Sequence, residues 1–139
     1  MARDGFHNAV RNALEKEGWK ITHDPLLIPF GDADLQVDLG AEQLIAAEQG
    51  PNRIAIEIKV FGAVSFVSAF HQALGQFLNY RIALEENDPE RQLYLAVPKD
   101  IYERAFQRKI AQAAVQRFEI AHLVYDPDQE VITQWNPKP

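Results

Sequence analysis

The stretch from Leu44 to Phe61, LIAAEQGPNRIAIEIKVF, constrains the fold more than any other part of the chain. Leu44-Ile45-Ala46-Ala47 is apolar, Gly50-Pro51-Asn52 is turn chemistry, and the residues from Arg53 onward alternate. This pattern predicts two strands joined by a tight turn. Side chains alternate along a strand, so Ile54, Ile56, Ile58 and Val60 share one face, and Ala55, Glu57, Lys59 and Phe61 share the other. Glu57 and Lys59 are then neighbours on one face of a strand that reads as buried. Burying charge is costly unless it is paired or holds a metal. The Glu-x-Lys pair is therefore the lead to function.

Around this hairpin the spacing predicts a helix over residues 4–17, with Asp4 as its cap and Gly18 as its stop. His7 shares a face with Val10 and Leu14 and is expected to point inward. A short strand follows at Trp19–Thr22, then an apolar run at Leu26–Phe30. The turn Gly31-Asp32-Ala33-Asp34 leads to a strand at Leu35–Leu39, with Asp34, Gln36 and Asp38 on one face. After the hairpin, Ser65–Glu85 has helical spacing and Glu85–Glu90 reads as a charged loop. Gln92–Val97 is a buried-looking strand stopped by Pro98. Tyr102–Arg117 reads as one helix with Phe106, Ile110, Ala113 and Ala114 inward, followed by strands in Phe118–Tyr125 and Glu130–Trp135. Glu48 reads as a solvated turn residue. Hairpins come first and β-α-β units follow, so the expectation is an α/β domain over residues 1–139, with a mixed central sheet and helices on both faces.

Composition narrows the function classes. There are 14 Lys and Arg against 20 Asp and Glu, a formal net charge of −6, which argues against a protein that coats nucleic acid through a basic surface. It leaves room for an enzyme with a few local basic groups, or for a protein whose partner supplies nucleic-acid affinity. No apolar run approaches a membrane span. Cysteine is absent, and the N-terminus lacks a signal-peptide pattern, so the expected compartment is the cytoplasm.

Asp38, on the strand leading into the hairpin, is placed to meet Glu57. Two carboxylates at one end of a sheet suit a hard divalent cation, since Mg²⁺ takes one or two carboxylates with waters and phosphate oxygens. Mn²⁺ is its substitute. Such an ion activates water and offsets charge growing on phosphorus. The Lys59 ammonium beside it orients that water or neutralises the phosphorane. Gln76 and Tyr80, four apart on the following helix, share a face that can support the lysine or a phosphate. Asp34 and Glu42 rival Asp38, because a one-residue slip changes which acid points in; Glu42 ranks second. No zinc spacing, phosphate-binding glycine loop or nucleophile elbow occurs.

The order Asp38, then Glu57-Ile58-Lys59, then Gln76-x-x-x-Tyr80 resembles the PD-(D/E)XK nuclease superfamily, the restriction-endonuclease-like fold. Many members carry a site-facing glutamate on the first helix. The corresponding position here is His7, which is counted with Tyr80 and Glu42 as supporting. The chain also lacks a proline before the motif acid. More closely it resembles the XisH family, the fdxN-element excision controlling factors of cyanobacteria. That resemblance is carried by Gly18-Trp19, Ile21-Thr22-His23-Asp24-Pro25-Leu26, Val37-Asp38-Leu39-Gly40-Ala41-Glu42, Phe70-His71, Ala73-Leu74-Gly75-Gln76-Phe77, Tyr94-Leu95-Ala96-Val97-Pro98 and Val124-Tyr125-Asp126-Pro127. It implies an accessory role in site-specific DNA excision, beside a separate recombinase and a small companion protein, XisI. Two functions follow as expectations. One is a Mg²⁺-dependent deoxyribonuclease using Asp38, Glu57, Lys59 and Gln76. The other is a non-catalytic factor that keeps the fold and acts by binding its partner.

Overall fold

The computed structural model describes residues 3–34, 44–59, 61 and 65–139. The strand expected at Leu35–Leu39, with Asp38 and Glu42, lies outside the described residues. Helix α1 spans Arg3–Lys16. It ends where the sequence says it should. Gly18 N–H bonds the Glu15 carbonyl and Trp19 N–H bonds the Leu14 carbonyl, the paired closure that needs a left-handed residue, and Gly18 has φ 90°.

The strands are β1 (Lys20–His23), β2 (Pro29–Phe30), β3 (Ala33–Asp34), β4 (Leu44–Gln49), β5 (Asn52–Ile58), β6 (Gln92–Pro98), β7 (His122–Asp126) and β8 (Val131–Asn136). Among the described residues one six-stranded sheet runs β1-β4-β5-β6-β7-β8, and β2 with β3 makes a small hairpin. The pairs β1/β4, β4/β5 and β7/β8 are antiparallel, while β5/β6 and β6/β7 are parallel. The β4–β5 turn is the predicted one. Gln49 pairs with Asn52, leaving Gly50 and Pro51 as the loop, and Gly50 takes φ 58° as primed hairpin turns demand.

Helix α2 spans Phe66–Asn87, and the Ser65 hydroxyl accepts from Ser68 N–H at its start. It runs through Glu85 and Glu86, which the sequence places in a loop. Exposed helix ends tolerate charge, so charge alone does not mark a stop.

The larger difference lies at residues 99–117. The single helix expected at Tyr102–Arg117 is three pieces: α3 (Lys99–Glu103), a 3-10 turn (Ala105–Gln107) and α4 (Lys109–Arg117). Arg104 (φ −109°, ψ −82°) and Arg108 (ψ 149°) leave helical geometry and reset the helical phase. Phe106 is inside as expected, but Ala111 is the buried residue of α4. Ile110 and Ala113 face out.

Each face of the sheet carries its own core. Val10 and Leu14 of α1 pack with Trp19, Ile45, Ile54, Ile56, Ile58, Tyr94 and Leu123. On the opposite face, Phe70, Ala73, Phe77, Tyr80 and Leu84 of α2 pack with Leu44, Ala55, Leu93, Leu95 and Phe106. The alternation read from β5 therefore sorts its residues correctly, and the face shared by Ala55 and Glu57 lies under α2. At the far end of β5 the buried Arg91 guanidinium donates to the Ile54 carbonyl (3.0 Å) and to Asp88 (3.0 Å), and reaches Glu48 at 3.4 Å. Glu48 is thus a strand residue in an ion-pair network rather than a turn residue left to solvent. None of the described helices is long and apolar enough to cross a membrane.

Candidate functional site

Glu57 lies mid-sheet, with Leu44 of β4 on one side and Leu95 of β6 on the other. Residues directly opposite share a face, so two leucines flank the carboxyl within the sheet. Tyr80 of α2 is close enough to be affected by its charge. The result is a carboxyl 3% exposed, with neither oxygen hydrogen-bonded to any described residue. Burial pushes its pKa from 4.5 up to about 8, with Lys59 pulling the other way. Tyr80 is itself held protonated, first by burial and then by the neighbouring Glu57.

Lys59, just past the end of β5, is half-buried and donates from Nζ to Gln72 Oε1 of α2 at 2.7 Å. Gln72, Gln76 and Tyr80 are spaced four apart, so they form one line along α2. The structure thus gathers Glu57, Lys59, Gln72 and Tyr80 on one face of the sheet. Gln76 occupies the middle of that line, half-buried. Gln72 is the residue that sequence reasoning missed. Its signal was the four-residue spacing back from Gln76.

The other expected residues stand as follows. Asp38 and Glu42 lie outside the described residues, and Asp34 is on β3. His7 is not enclosed in the core. It is half-buried on α1, over the opposite face of the sheet from Glu57, and its Nε2 meets Asp24 Oδ2 at 2.8 Å. Arg11 contacts the same carboxylate at 2.5 Å. Helical spacing gives the face of α1 correctly but not the partner, which arrives from the turn after β1.

Among the described residues no three His, Asp or Glu side chains group as metal ligands. Glu57 nevertheless has what a ligand needs, two buried oxygens without partners, and one or two protein carboxylates suffice for Mg²⁺.

A family model described as XisH protein matches residues 1–133. Among curated proteins none matches. Two solved structures are similar along nearly their whole length. One is a XisH family protein from Nostoc punctiforme, 47% identical, covering 96% of this chain and 99% of its own, with a TM-score of 0.88. The other is an fdxN element excision controlling factor protein from Anabaena variabilis, also 47% identical with the same coverage and a TM-score of 0.89. A sequence that fits one family model over residues 1–133, and a backbone that follows two solved structures at nearly half identity, place the chain in a family: it belongs to the XisH family.

Proposed function

We propose that this chain is an accessory factor controlling site-specific excision of a DNA element, built on a PD-(D/E)XK nuclease-like fold with a divalent-metal site that cleaves phosphodiesters. The observation that carries the site is Glu57: an acid buried between leucines, with both oxygens unpartnered, next to a lysine and facing α2. A protein gains no stability from such a group, so its presence argues for a ligand. The excision role rests on the likeness to the Anabaena variabilis factor.

In this reading Glu57 and Asp38 hold Mg²⁺ or Mn²⁺. Bound there, the ion would supply water activation and offset charge on phosphorus. Glu57 must give up its proton to take the cation, which its pKa of about 8 makes dependent on pH. Gln72 holds the Lys59 ammonium near the end of β5, where it would offset charge on a bound phosphate. Tyr80, held protonated, remains a hydroxyl donor throughout. Gln76 supports the lysine from the same helix. The factor acts beside a recombinase and a XisI-like companion.

A second reading, a partner-binding factor without catalysis, draws on the net charge of −6 and on a Glu57 carboxyl that is neutral near pH 7. Cleavage of plasmid and single-stranded DNA by wild type and Glu57→Ala, with Mg²⁺ or Mn²⁺ at pH 7 and 9, separates the two. The nuclease reading expects divalent-dependent cleavage that rises with pH and is lost in the variant. Cleavage unchanged by Glu57→Ala sinks the site assignment. No cleavage, with excision in cells intact in the variant, supports the second reading.

A further inference from the structure

The broken helix at residues 99–117 leaves an apolar face uncovered. One side of α4 and the first half of α2 border an open groove of about 430 Å³. Its floor is aliphatic, formed by Leu74 of α2 with Ile110 and Ala113 of α4, and Ile110 is 39% exposed. Phe118, 44% exposed, stands at one end. Helical spacing marks Leu74, Ile110 and Ala113 for burial, yet α4 fully buries only Ala111, with Ala114 and Val115 half-buried against the core. Removing aliphatic surface from water is favourable, so the face gains from a cover.

Charge says what kind of cover fits. The groove is bordered by two cations, Lys109 and Arg117, both exposed. From Arg104 to Phe118 the chain carries four basic residues and no acid, in a protein whose net charge is −6. An acidic partner is attracted locally although the molecule as a whole repels it. Phosphates would meet the same cations. Single-stranded nucleic acid, however, is held by rings on which bases stack. Here Phe70 is buried and Phe118 stands alone at the end, while the floor is aliphatic.

We infer that the α2–α4 groove docks an amphipathic helix of a partner protein, with an aliphatic stripe on the floor and acidic residues against Lys109 and Arg117. This inference stands apart from the nuclease reading, since none of its residues belongs to the Glu57 site.

The test uses the full chain, ¹⁵N-labelled, titrated with a panel of synthetic helical peptides carrying leucines at i, i+4 and i+7 and glutamates on both flanks. Saturable shifts confined to residues 70–74 and 109–118 are expected. Ile110→Glu, at an exposed position that folding does not require, should weaken binding at least ~10-fold, as loss of a central anchor does. Lys109→Glu with Arg117→Glu should do the same while leaving the spectrum of the free protein otherwise intact. The proposal is overturned if no peptide shifts these residues, or if peptides with lysine in place of glutamate bind as tightly. It is also overturned if a single-stranded oligonucleotide occupies the groove and the peptides do not, or if sedimentation shows the face taken up by a second copy of the chain.

Discussion

Glu57 loses its hydration on folding and receives no hydrogen bond from the described residues in return. Unfolded, its carboxyl ionises near 4.5; folded, it keeps its proton until about 8. Between those values the folded state binds one proton more than the unfolded, so stability falls as pH rises through the window, by about 1.4 kcal/mol per unit. Below pH 4.5 both states are protonated and the effect vanishes. Glu57→Gln keeps the shape and cannot ionise. In the presence of a chelator it should be increasingly more stable than wild type from pH 5 to pH 8, as read from urea midpoints at each pH. Equal stability across that range would place Glu57 in contact with water or a hydrogen-bond donor. The isoleucine alternation made the burial of Glu57 legible in the sequence. Its missing partners were not, because they depend on Leu44, Leu95 and α2 meeting there. Gln72 was hidden for the same reason: exposed on its helix, it means nothing until β5 delivers Lys59 to it. His7 shows the limit from the other side, since its partner Asp24 comes from a turn that periodicity does not describe.

At the scale of elements, the signals that held are those with a local cause. Gly18 ends α1 because its backbone is left-handed, a conformation that strains any residue with a side chain. A Cβ at this position would lie 2.8 Å from the Gln49 amide nitrogen, which donates to the Glu17 carbonyl. Gly18→Ala should therefore cost about 1–3 kcal/mol, measured as a lowered midpoint in thermal or urea unfolding. A change within error would mean the turn re-forms without the left-handed residue. The Gly50-Pro51 turn was legible for the same local reason. The 99–117 segment was not. An apolar period carried unbroken from Phe106 to Ala114 suggests one helix, but Arg104 and Arg108 leave the helical region. Neither residue carries a sequence mark of a break. The shift in phase turns Ile110 from a core residue into the floor of an open groove.

At the scale of the whole molecule, the sheet divides the labour. The face under α1 is an apolar core that runs from Trp19 to Tyr125, while the face under α2 gives up part of its core to Glu57 and Lys59. Mixed strand order and helices on both faces followed from the succession of hairpin and β-α-β patterns, which is a property of the chain as a whole. In the proposed site the second carboxylate is Asp38, which lies outside the described residues. In the proposed function Glu57 is kept buried, with no hydrogen bond from the described residues, to bind a divalent cation. Calorimetric titration of Mg²⁺ into wild type and Glu57→Gln, at pH 7 in two buffers of different ionisation enthalpy, tests it most directly. Wild type should bind saturably with proton release, since a carboxyl with a pKa of about 8 must shed its proton first, and the variant should not bind. Equal Mg²⁺ binding by both proteins, or binding by wild type without proton release, would contradict it.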